Sequence, residues 1–60
     1  MSVKLQLENI IDTLTTALPD AEKHDRGNSA AGTRVRKALQ SVKAAAQEAR
    51  ITVQNEKNSR

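Results

Sequence analysis

Four cations recur at intervals of seven in this sequence: Arg36, Lys43, Arg50 and Lys57. On a helix that interval returns to the same face, roughly 10 Å further along at 1.5 Å per residue. Guanidinium and ammonium groups spaced in this way suit one kind of chemistry, the holding of phosphates by charge and hydrogen bonds. Arg34 and Lys37 add positive charge at the N-terminal end of the same segment. A helix dipole is already positive there, and cations gain nothing from it. A local preference broken without structural gain marks a candidate site. The positive pole, its open N–H groups and the arginines together suit a phosphate. The ordinary alternative is a solvated helix surface whose cations pair with acids of the first half. In an antiparallel hairpin folded about Asn28, Asp20 is level with Arg36 and Asp12 comes near Lys43 only if the faces agree, whereas Arg50 and Lys57 have no acid at their level. The partner expected from the row is double-stranded DNA, bound without sequence preference, because phosphate contacts position a protein without reading bases. Single strands call for aromatic stacking platforms, and the chain has no aromatic residue.

Other chemistry finds little footing. The segment from Gly27 to Arg34 reads GNSAAGTR and superficially echoes a phosphate-binding loop. It lacks the lysine that such a loop needs, and no strand precedes it, so no nucleotide site and no small-molecule substrate are expected. Gly32 is better explained by close approach of two helices near a turn, with close approach of backbone to phosphate as the second reading. His24 is the one histidine and there is no cysteine. A metal site is therefore not expected, and neither is a cofactor. Thr13, Thr15, Thr16 and Ser29 have no base to activate them, and Ser29 serves better as a helix cap. The chain is not expected to be an enzyme.

The row needs a helix to carry it, and the apolar spacing supplies two. Val3, Leu7, Ile10, Leu14, Ala17 and Ala21 follow one another at intervals of 4-3-4-3-4, as do Val35, Leu39, Val42, Ala46, Ala49 and Val53. That is the seam of paired coiled-coil helices. Between them Gly27 suits the left-handed position after a helix end, and Asn28 or Ser29 can cap the next helix. A short turn forces antiparallel packing. Folding about Asn28 sets Val3 against Val53, Leu7 against Ala49, Ile10 against Ala46, Leu14 against Val42, Ala17 against Leu39 and Ala21 against Val35. Gly32 then falls opposite His24. The fold class is all-α, an antiparallel, coiled-coil-like two-helix hairpin in a single domain over residues 1–60. Its first helix is expected from about 3 to 26, kinked or broken at Pro19, where a donor is lost and the ring crowds the carbonyl of Thr15. The turn is at 27–28, the second helix runs from about 29 to 55, and the C-terminus beyond is expected to fray.

Length and composition bound the rest. Sixty residues without aromatic residues or cysteine can draw on neither large core side chains nor disulfides. Self-association is the remaining source of stability, and two hairpins in a four-helix bundle would bury Ile11 and Leu18 beside the seam. A homo-oligomer is expected. Up to Asp25 there are two cations and five anions, and from Arg26 onward eight cations and two anions, so halves of −3 and +6 make the net +3. No apolar run approaches the ~20 residues that cross a bilayer. No membrane partner is expected, and the protein is placed in the cytoplasm. The alternative to DNA binding is a small helical oligomerisation or protein-interaction module without nucleic acid.

The run Gly27-Asn28-Ser29-Ala30-Ala31-Gly32-Thr33-Arg34-Val35-Arg36-Lys37 resembles the central motif of the bacterial histone H1-like Hc1 family, small nucleoid-associated proteins. The likeness is good over about residues 24–43 and reaches helix 1 only in its amphipathic, acidic character. It implies DNA binding and chromatin compaction with little sequence preference, and a place in the nucleoid. By position, the family's motif residues fall on Gly27, Asn28, Arg34 and Arg36.

Overall fold

The computed structural model describes residues 2–59. Two helices make up most of the described residues, α1 over Val3–Asp25 and α2 over Ser29–Asn58. They lie antiparallel as a hairpin 50 Å long and 15 by 13 Å across. No strand occurs among the described residues.

Each helix end is closed by a side chain or a turn that the sequence provides. Ser2 Oγ accepts from the Leu5 N–H at 3.1 Å and caps α1. At the other end Arg26 is the C-cap, and Gly27 takes φ 100°. The Gly27 N–H donates to the His24 carbonyl at 2.9 Å and the Asn28 N–H to the Lys23 carbonyl at 3.0 Å. These two bonds form a Schellman motif, which satisfies carbonyls that the helix leaves open. Of the two expected caps for α2 the structure uses Asn28, whose Oδ1 accepts from the Ala31 N–H at 3.0 Å.

Of the kink or break expected at Pro19 the break does not occur, and α2 ends later than expected. Pro19 neither breaks nor interrupts α1, which runs through it. The ring is on the exposed outer face, while Ala17, Asp20 and Ala21 around it are half-buried and hold that turn against α2. The second helix also continues past residue 55 to Asn58, with Ser59 as its cap. Ser59 Oγ donates to the Asn55 carbonyl at 2.9 Å, and Lys57 sits in the last turn, where the dipole favours a cation. Of the end expected to fray, Arg60 lies outside the described residues.

The register follows the fold about Asn28. His24 lies over Gly32, where an added Cβ would stand 2.5 Å from the imidazole Nδ1. Further along, Gln6 Nε2 donates to Thr52 Oγ1 at 3.1 Å. The seam, however, is turned relative to the expected one. Among the described residues only Ala31, Gly32 and Ala49 are buried. Leu7, Leu14, Leu39 and Val53 keep 40–53 % of their surface exposed. Eight of the twelve expected seam residues are half-buried or buried, Val3, Ile10, Ala17, Ala21, Val35, Val42, Ala46 and Ala49, and Gln6, Thr13, Ala38 and Ala45 join them in place of the other four. Small side chains let two backbones approach, and two helices alone have no third surface to cover wide leucine faces. The hairpin therefore has a polar flank, carrying Gln6, Thr13, Asp20 and Thr52, and an apolar flank, carrying the leucines.

Candidate nucleic-acid interface

All six cations singled out from the sequence are exposed on α2. Arg36, Lys43, Arg50 and Lys57 share one heptad position, and the structure keeps them on one continuous helix. Arg36, Lys37 and Lys43 line one shallow depression with Thr33, Leu39 and Gln40. Arg50 borders the next stretch of the groove beside Ala46, Ala49 and Val53, and its Nη1 donates to Gln47 Oε1 at 3.2 Å. Lys57 lies in the last turn of α2. Among the described residues none of Arg36, Lys37, Lys43, Arg50 and Lys57 forms an ion pair.

Arg34 is placed differently. Two residues before Arg36, it points roughly 160° away around the helix. Its Nε donates to Asp20 Oδ1 at 3.0 Å, and its Nη2 stands 3.0 Å from the same oxygen. The alternative in which Asp20 satisfies Arg36 is not what the structure shows, since the polar flank to which Asp20 belongs faces Arg34. The hydrogen bond from Arg34 holds the Asp20 carboxyl below its ordinary value, with partial desolvation opposing. The same bond holds the Arg34 guanidinium above its own. The other ion pair among the described residues joins Arg26 and Glu22 at 3.3 Å on the exposed surface of α1 and its cap. Among the described residues Arg36, Lys43 and Lys57 thus have no side-chain partner, whereas Arg50 shares a bond with Gln47 and Arg34 one with Asp20.

The turn residues have structural work. Gly27 supplies the left-handed backbone, Asn28 the cap, and Gly32 the room for the His24 ring. Gly32 thus follows the first of its two sequence readings. Sequence reasoning passed over Gln6 and Thr52, whose hydrogen bond joins the far ends of the helices. A signal existed in the spacing of Gln6, Thr13 and Asp20 by seven, a polar heptad position beside an apolar one. Among the described residues no group of three or more metal-ligating side chains gathers, and no helix is long and apolar enough to cross a membrane.

The arrangement can bind an extended anion along α2, and it offers a groove without enclosed walls. Comparison with known proteins bears on which anion. No curated protein and no solved structure matches the chain. A family model does, that of histone H1-like protein Hc1, over residues 4–59. The match takes in both helices and the turn, and the chain belongs to the histone H1-like protein Hc1 family.

Proposed function

We propose that this chain is a nucleoid-associated, architectural protein that binds double-stranded DNA through its phosphate backbone, with little reading of bases. The observation that carries this is the exposed row of Arg36, Lys43, Arg50 and Lys57, without carboxylate partners among the described residues. Lys37 widens the row beside Arg36. Arg34 contributes from the opposite flank when its pair with Asp20 opens. Family membership supports the choice of DNA over other polyanions, since the family is histone H1-like and not a known enzyme family. With a net charge of only +3 a single hairpin binds weakly. Self-association belongs to this reading, because several rows in one particle bind far more tightly than one.

Fluorescence anisotropy of duplex DNA, titrated with the chain at several salt concentrations, tests the proposal. Binding is expected to weaken steeply with salt. Arg36→Ala, Lys43→Ala and Arg50→Ala together should weaken it on every sequence and lower the salt slope by about 0.9 for each phosphate no longer neutralised. Circular dichroism on the triple variant checks that the helices remain. An affinity and a slope unchanged by the triple variant would overturn the reading. The protein-interaction module, favoured by the exposed apolar flank, would then stand in its place.

A further inference from the structure

The depression nearest the turn is lined on α2 by Ser29, Gly32, Thr33 and Arg36, among others, and on α1 by one residue, His24. It runs on into the depression of Arg36, Lys37 and Lys43, since Thr33, Arg36 and Leu39 border both. Ser29 stands seven residues before Arg36, so it holds the place where the row would set its next cation. Serine brings no charge there, and the His24 imidazole comes across from the other helix into the same depression. Gly32 admits the ring. An added Cβ would stand 2.5 Å from Nδ1 and 3.0 Å from Cε1, so this edge of the imidazole rests on α2 and the Nε2 edge lies farther out. His24 is exposed. Among the described residues its ring nitrogens have no hydrogen-bond or ion-pair partner.

We infer that His24 is a further phosphate-contacting residue, which in its protonated form carries the cationic row past Arg36 to the turn and makes DNA binding depend on pH. The inference rests on the reading that the row binds DNA. Imidazole is the side chain whose charge ordinarily changes between pH 5 and 8. A phosphate beside the ring favours the charged form, as any close opposite charge does. The charged groups around His24 are few. On α1 Lys23 and Asp25 adjoin it in sequence, and Asp20, one turn before, is bonded to Arg34. At the end of α1 Arg26 is paired with Glu22. From α2 Arg36 borders the same depression. Two cations so placed repel one another until a phosphate lies between them. Proton and DNA therefore bind cooperatively, each raising the affinity for the other. The contact is present at low pH and is lost as the pH rises through the titration of the ring.

The test is anisotropy of duplex DNA titrated with the full chain at about pH 5.5 and about pH 8, each at several salt concentrations. Wild-type binding should be on the order of fivefold weaker at the higher pH, and its salt slope smaller by about 0.9, the share of one phosphate. His24→Gln should bind at both pH values as the wild type does at the higher one. Other groups that titrate in this window are present in both proteins and cancel in the comparison. His24→Lys fixes the charge and should bind at the higher pH as tightly as the wild type does at the lower. Circular dichroism at both pH values checks that the helices remain. Nuclear magnetic resonance of the wild-type imidazole needs no variant, and the midpoint of its titration should move up when duplex DNA is added. A midpoint unmoved by DNA, equal wild-type slopes at the two pH values, or a pH difference that persists in His24→Gln would overturn the inference and leave the row intact. Absence of DNA binding at either pH would overturn both the inference and the reading on which it rests.

Discussion

Arg34 reaches across the hairpin to Asp20 at 3.0 Å, whereas Arg36, two residues further along the motif, faces the opposite flank and meets no carboxylate among the described residues. Two arginines that look equivalent in the sequence thus have separate duties. One ties α2 to α1, and the other belongs to the cationic row.

Asp20→Asn should lower the melting temperature slightly at neutral pH, because a pair that water still reaches contributes little. The Asp20 carboxyl is held below its ordinary value of 3.8 by the Arg34 hydrogen bond. Its contribution is therefore complete above that value and lost as the pH falls through the lowered one. Melting curves of the two proteins should differ at pH 7 and converge in strong acid. In the DNA titration the same variant should bind modestly better at low salt, since it adds one unit of net charge and releases Arg34.

Gly32→Ala places a Cβ 2.5 Å from His24 Nδ1 and forces the imidazole to swing away. Alanine is better than glycine in a helix by about 1 kcal/mol. In the wild-type background that gain is offset by the displaced ring. In a His24→Ala background the gain should appear in full, and urea denaturation of the four proteins of this cycle measures the difference.

Gly27→Ala should destabilise by about 1 kcal/mol or more through the backbone alone, since φ is 100° and nothing stands within 4 Å of the added methyl. Asn28→Ala should cost about 1 kcal/mol by removing the acceptor for the Ala31 N–H. Chemical denaturation separates both from the wild type, and neither change touches a cation of the row.

Gln6 Nε2 is bonded to Thr52, but Gln6 Oε1 is buried without a partner. An orphaned buried acceptor costs about 1–3 kcal/mol. Gln6→Leu should therefore raise stability by about 1 kcal/mol in a denaturation experiment, and Thr52 keeps its own bond to the Glu48 carbonyl at 3.0 Å. The same change removes a polar contact that favours this register over one in which the apolar flank turns inward.

The hairpin, its turn and its register were legible because each rests on local rules. Heptad spacing fixes the helices, Gly27 and Asn28 fix the turn, and a short turn fixes the direction. The rotation of the seam was not legible. Patterning assigns leucine to the inside, yet with only one neighbour a helix settles where backbones come closest, and that favours Ala31, Ala38 and Ala49 over Leu14 and Leu39. The partner of Asp20 was missed because height along the hairpin was matched without the face, and Arg34 and Arg36 point roughly 160° apart around α2. A break at Pro19 was one of the two outcomes expected, because a proline counts against a helix in isolation, yet α1 runs through it. Packing of its neighbours on α2 outweighs one missing bond.

The interior of this hairpin is lined by methyl groups and a bare backbone position, at Ala31, Ala49 and Gly32. The gauge between the helices is consequently set by the smallest residues, which leave no slack. Enlarging any of them would wedge the rods apart along their length, whereas trimming a leucine would leave the spacing of a lone chain nearly as it was. Tolerance to mutation should run opposite to the usual order of hydrophobic size, with the buried Ala31 and Ala49 less replaceable than the exposed leucines.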